Sequence, residues 1–168
     1  MSSEWASRRK AGAHCHVCSV PAVEDLDRLI VRLLAQDGRR SFTDLAKDTG
    51  LSVSAVHQRV RRLEKRGIVR GYHAVIDPDA VELPLTAFVS IKPIDPAAPD
   101  DAPDRLAHLD AIEACHSVAG EESYILKVRV ASPAALEALL QEIRAAANVA
   151  TRTTVVLSTP YEGRPPAL

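Results

Sequence analysis

The sequence predicts an α+β chain in two parts, and three observations carry that expectation. Apolar residues recur at helical spacing through residues 22–75, then alternate in strand-like fashion through much of residues 85–160. A breaker-rich stretch, Asp77-Pro78 to Pro84, separates the two patterns and puts a linker over residues 76–84. Charge divides at the same place: residues 22–75 hold 11 Lys/Arg against 7 Asp/Glu, whereas residues 76–168 hold 7 against 14.

The first 21 residues read as a disordered basic arm, rich in Ala, Ser and Gly around Arg8-Arg9-Lys10, or as residues ahead of the native start. His14-Cys15-His16-Val17-Cys18 has metal-ligand residue types, but no paired Cys or His follows at a distance that would complete a structural zinc site. No metal is expected.

Three helices follow. The first covers about Glu24 to Gln36, buries Leu26, Leu29, Ile30, Leu33 and Leu34, and is closed by Asp37-Gly38. The second starts at Ser41, whose hydroxyl can take an orphan N–H while Asp44 suits the positive helix end. Phe42, Leu45 and Ala46 are its apolar residues, and Gly50 sits where a left-handed C-cap would close it. Leu51 fills the turn and Ser52 caps the third helix. Val53, Val56, Val60 and Leu63 form one stripe along that helix, and Gly67 ends it. At about 100° per residue, Ser54, Gln58, Arg61 and Lys65 lie opposite the stripe, with His57 and Arg62 on its flanks. Two helices joined by a tight turn, the second basic on its free face, form a helix-turn-helix, here with a winged-helix-like continuation.

A basic helix face is often only a solvated face. Residues 52–72, however, hold six basic side chains against Glu64 alone, the concentration that phosphate neutralisation requires. Double-stranded DNA is therefore the expected partner. Ser54, Gln58 and Arg61 are placed for base edges, since Gln suits adenine and Arg suits guanine. Ser52 lies at the same end of the helix. Arg39, Arg40, Thr43, Arg62, Lys65 and Arg70 are assigned to phosphates. His57 either tunes binding below neutral pH or is an exposed bystander. Arg59 lies nearer the core edge and has Glu64 or Asp27 as a candidate partner. A dimer would set two such helices about one DNA turn apart, which implies an imperfect palindrome as target.

In the acidic part, strands are expected over Leu85–Ile91, Ile112–Val118, Tyr124–Val130 and Val149–Ser158. A proline- and aspartate-rich loop covers 95–103. Short helical pattern spans 102–110, and Ser132-Pro133 opens a longer helix with Leu136, Leu139, Leu140 and Ile143 as its buried stripe, ending at Asn148. In the Tyr124 strand, Ile125 and Lys127 face one way and Leu126, Val128 and Val130 the other. The order β-α-β-β-α-β is that of a ferredoxin-like sheet with both helices on one face. Its other face is left bare, and pairing with a second copy is the natural cover. Cys115, flanked by apolar residues, is read as core. Residues 161–168 form a short tail.

Composition excludes several classes. The 46% hydrophobic and 26% charged fractions are those of a globular protein, and no apolar run reaches bilayer length. Three cysteines point to a reducing cytoplasm, with nucleoid association following from DNA binding. Aromatics at 4% disfavour single-strand binding by stacking. With no Gly-rich phosphate loop and no nucleophile–base pair, an enzyme is not expected, nor is a cofactor.

Six segments together resemble the leucine-responsive/asparagine-regulator (Lrp/AsnC, feast/famine) transcription factors, most of all the actinobacterial members. They are Leu26-Asp27-Arg28-Leu29-Ile30, Gln36-Asp37-Gly38-Arg39-Arg40-Ser41, Leu45-Ala46, Gly50-Leu51-Ser52, Arg59-Val60-Arg61-Arg62-Leu63-Glu64 and Gly67-Ile68-Val69-Arg70-Gly71-Tyr72. The resemblance runs from about residue 23 to 160. It implies a DNA-binding regulator built from homodimers, often octameric, whose residues 85–160 dimerise and bind a free amino acid as effector.

Within that resemblance the stretch Val118-Ala119-Gly120-Glu121-Glu122-Ser123-Tyr124 matches the family's effector loop, with Ser123 where the family often has aspartate. Gly120 permits close approach of backbone to a ligand, an unpaired N–H there suits a carboxylate, and Glu121 or Glu122 suits an ammonium group. Thr151, Thr153 and Thr154 offer hydroxyls to the same cleft. The plainer reading stands beside it: Gly120 permits a hairpin turn, the acids are solvated and the threonines are strand residues. A ligand-independent architectural DNA-binding protein is the alternative function, and it would need no response at residues 118–124.

Overall fold

The computed structural model describes residues 24–166. The His14–Cys18 cluster and the basic arm lie outside the described residues. The chain divides into two compact units, one ending at Tyr72 and the other spanning His73–Arg164.

The first unit is three helices: α1 (Asp25–Gln36), α2 (Phe42–Thr49) and α3 (Val53–Lys65). The caps are those the sequence specifies. The Ser41 hydroxyl accepts from the Asp44 N–H at 3.1 Å, and the Ser52 hydroxyl from the Ala55 N–H at 3.2 Å. Gly50, at φ +69°, ends α2 in the left-handed region that favours glycine. Ile30, Leu45, Ala46, Val56, Val60 and Leu63 form one buried cluster. Two expected core residues lie at its rim instead. Val53, in the first turn of α3, is 47% exposed, and Phe42 is 39% exposed against the His57 ring, 4.8 Å away between centroids.

After Gly67 the chain folds back, and residues 68–84 form no strand. Ile68 and Val69 donate to the Leu63 carbonyl, and the Tyr72 hydroxyl donates to Glu64 at 3.1 Å. Tyr72 also lies 3.4 Å from where a Cβ on Gly38 would stand, so the α1–α2 turn and the end of the unit meet closely.

The second unit is β1 (Leu85–Pro93), α4 (Ala102–Leu106), β2 (Ile112–Ser117), β3 (Tyr124–Val130), α5 (Pro133–Ala147) and β4 (Val149–Val155). The strands pair antiparallel in the order β2-β3-β1-β4, which is the ferredoxin-like arrangement. Ala87, Val89, Ile91, Tyr124, Leu126, Val128, Leu136, Leu139 and Ile143 lie in the core between the sheet and α5. Three elements are shorter than expected, β2 only by Val118. α4 stops at Leu106 because the chain tightens into a three-residue bond from the Leu109 N–H to the Leu106 carbonyl before entering β2. β4 stops at Val155 because its partner β1 begins at Leu85, leaving only the bond from the Val156 N–H to Thr86 beyond it.

Cys115 corrects the sequence reading. A bulge between Ile112 and Ala114 sets Cys115 opposite buried Leu126, but β2 is the edge strand of the sheet, so the thiol is exposed rather than packed in the core.

The bare face is mixed rather than apolar. Phe88 is 41% exposed there, but Lys127 pairs with Glu113 and Glu162, each at 2.7 Å, and Arg129 pairs with Glu113.

Candidate DNA-binding face and effector cleft

In the first unit the stripe of α3 is buried at Val56, Val60 and Leu63, which leaves Ser54, Gln58, Arg61 and Lys65 exposed on the other side. Among the described residues no acid pairs with Arg61 or Lys65. Ser52 and Ser54 share a hydrogen bond of 3.1 Å at the helix start. Thr43, Arg39 and Arg70 are also exposed. His57 is half-buried against Phe42, so it ties α3 to α2 rather than standing clear as a bystander.

The remaining arginines are held from within. Asp27, fully buried on α1, accepts from Arg59 at 2.7 Å and from Arg62 at 2.9 Å, and Glu24 accepts from Arg59 at 2.9 Å. Burial pushes the Asp27 carboxyl up, but the two guanidinium hydrogen bonds outweigh it and hold the group below its ordinary value. The same contacts raise the Arg59 guanidinium, through Glu24 first and Asp27 second. Of the two partners the sequence offered Arg59, Asp27 is the one used. Arg62, assigned to phosphate from sequence, is drawn toward α1, and Arg40 pairs with Asp48 on α2. The missed signal is the pair of acids at Glu24 and Asp27, three apart on one helix face.

The second unit contains a polar cleft of about 430 Å³ between two loops. One wall is Pro93, Pro96, Ala98 and Asp100; the other runs from Ser117 to Gly120 with Glu122 and Ser123. Three residues of the sequence-predicted set therefore line it: Gly120, Glu122 and Ser123. Glu121 is exposed outside it. Tyr124 belongs to the core by its ring, 6% exposed, and only its hydroxyl reaches the cleft loop, donating to Asp100 at 2.6 Å. That bond, with burial second, pushes the phenol up to about 12, so the group stays a donor across the physiological range.

The threonines do not share one surface. Thr151 and Thr153 sit opposite Ile91 and Val89 on the helix-covered face, while Thr154 sits opposite Phe88 on the bare face. None of the three lines this cleft. Thr151 instead accepts from Arg144 at 3.1 Å.

Glu122 pairs with Arg152 of β4. The Val118 N–H donates to Ser123 and the Ser123 N–H to Ile91, which closes the loop at its base. Between them, no described residue accepts from the N–H groups of 119–122. The backbone of Gly120 lies outside the positive-φ region, and a Cβ there would meet nothing within 4 Å, so neither a turn nor internal packing calls for glycine at this position. Asp100 was not foreseen from sequence; it lies 24 residues from Tyr124, with no local pattern joining them.

No helix among the described residues is long and apolar enough to cross a membrane, and none of their His, Cys, Asp and Glu side chains form a group that could hold a metal ion.

Comparison with known proteins gives two family matches: the AsnC-type helix-turn-helix domain over residues 24–64 and the Lrp/AsnC ligand binding domain over residues 86–166. The HTH-type transcriptional regulator LrpA of Mycobacterium tuberculosis is 60% identical over 143 residues, 85% of this chain and 95% of that protein. The leucine-responsive regulatory protein of Escherichia coli K12 is 37% identical over 140 residues, 80% of this chain and 85% of that one. Among solved structures, a feast or famine regulatory protein from M. tuberculosis complexed with L-methionine superposes with a TM-score of 0.84 at 60% identity, covering 86% of this chain and 98% of that one.

Proposed function

This chain belongs to the Lrp/AsnC family of transcriptional regulators, and from that membership we propose that it binds double-stranded DNA sequence-specifically under the control of a free amino acid. The observation that carries the DNA half is the division of α3: an apolar stripe buried, and Ser54, Gln58, Arg61 and Lys65 exposed on the other side, with no acid among the described residues paired to Arg61 or Lys65. Ser54, Gln58 and Arg61 read base edges. Lys65, Arg39, Thr43, Arg70 and Ser52 hold phosphates and set register. Arg62, Arg40 and His57 contribute less directly, because each is engaged within the unit.

The effector half rests on the cleft beside residues 117–123. An amino acid seated there has its carboxylate on the N–H groups of Ala119, Gly120 and Glu122, which have no acceptor among the described residues, and Gly120 leaves room for the approach. The L-methionine complex of the M. tuberculosis relative makes a small α-amino acid the natural first candidate. The working form is a homodimer, assembling to octamers, that binds an imperfect palindrome in the cytoplasm near the nucleoid.

A gel shift with competitor DNA tests the reading. Preference for one site that changes with an amino acid supports it. Binding without preference over bulk DNA is the outcome of an architectural protein and overturns it.

A further inference from the structure

Resting on the effector reading above, the geometry points to Asp100 as the acceptor for the effector's α-ammonium group, so that the cleft admits α-amino acids and refuses their deaminated analogues. The cleft has two chemically opposite walls. On one, the backbone N–H groups of Ala119, Gly120 and Glu122, all cleft-lining residues, have no acceptor among the described residues and are donors suited to a carboxylate. On the other, Asp100 lines the cleft with no Lys or Arg paired to it among the described residues. A zwitterion matches that pair of walls, one pole to each.

The other acids of the region are poorer acceptors. Glu122 lines the cleft but is already neutralised by Arg152, and Glu121 lies outside it. Ser123 lines the cleft but brings no charge. Asp100 supplies a carboxylate from the opposite loop, unpaired with Lys or Arg among the described residues.

The carboxylate is also held in place. The Tyr124 hydroxyl donates to its Oδ1 at 2.6 Å from a ring fixed in the core, which leaves Oδ2 for a ligand. The wall that carries it is stiffened by Pro93, Pro96 and Pro99, and by the Asp95 carboxylate accepting from the Ala97 N–H at 2.9 Å.

Calorimetric titration of the full chain with each proteinogenic amino acid, L-methionine first, tests the assignment alongside the best binder's deaminated analogue. Wild type is expected to bind the amino acid at least about tenfold more tightly than the analogue, the scale of one charge-assisted hydrogen bond. Asp100→Asn keeps the shape and an acceptor for Tyr124 while removing the charge. It is expected to weaken the amino acid about tenfold or more and leave the analogue unchanged. Unchanged amino-acid affinity in Asp100→Asn, or an equal loss for both ligands, overturns the role of Asp100 and leaves the effector reading intact. Absence of binding by any amino acid to wild type overturns both.

Discussion

Replacing Asp27 with Asn perturbs the one buried carboxylate among the described residues of the DNA-binding unit. The side chain keeps its volume but loses the charge that receives Arg59 at 2.7 Å and Arg62 at 2.9 Å. Truncating one partner of a fully buried pair costs about 3–5 kcal/mol. Here the arginine side chains are 24% and 47% exposed, so both can recover water and the upper range does not apply. Discounting for that screening leaves about 1–3 kcal/mol. The pH dependence follows from the depressed carboxyl. Stability contributed by a group with a lowered folded-state value is complete above its ordinary value of 3.8 and is lost as pH falls through the folded one. Urea unfolding followed by far-ultraviolet circular dichroism, in wild type and Asp27→Asn, measures the gap. It is expected to be constant from neutrality down to about pH 5 and to close in stronger acid. Equal stability at pH 7, or a gap that persists undiminished at low pH, would refute the reasoning.

Other expectations concern the two sites. Arg61→Ala is expected to weaken specific DNA binding by about 1–3 kcal/mol and relax preference at a single base position, read by competition over a panel of substituted sites. Lys65→Ala is expected to lower the salt slope of binding by about 0.9, while Arg62→Ala, whose guanidinium is drawn to Asp27, changes the slope much less; fluorescence anisotropy across a salt series separates them. Gly120→Asp is expected to leave DNA affinity unaltered and abolish its response to the effector, because a carboxylate would stand where another is to bind. Ile143→Ala, in the core of the second unit, is expected to cost about 2–5 kcal/mol in denaturant unfolding.

What could be read from sequence is what depends on near neighbours. Ser41, Gly50 and Ser52 mark helix ends by chemistry that acts within a turn, so the three helices emerge with nearly the expected limits. Alternation in Tyr124–Val130 fixes which face is buried, and Ser132-Pro133 starts α5 where expected. What escaped depends on distant partners. Arg62 looks free for phosphate until Asp27, 35 residues earlier, is brought beside it. Cys115 looks like core until the pairing of distant strands leaves β2 at the sheet edge and exposes it. Thr151, Thr153 and Thr154 look like one polar patch, yet strand alternation sends Thr154 to the opposite face. Tyr124, in the expected effector loop, proves to be a core ring that positions Asp100. The candidate cleft thus depends on a loop whose composition alone signals only turns.

The most direct test of the account is a gel shift of the full-length protein on the DNA upstream of its own coding region, with excess unrelated DNA, repeated with each amino acid. A specific complex whose affinity or mobility changes with one or a few amino acids is the predicted result. A complex that unrelated DNA removes completely, or one that no amino acid alters, would contradict it.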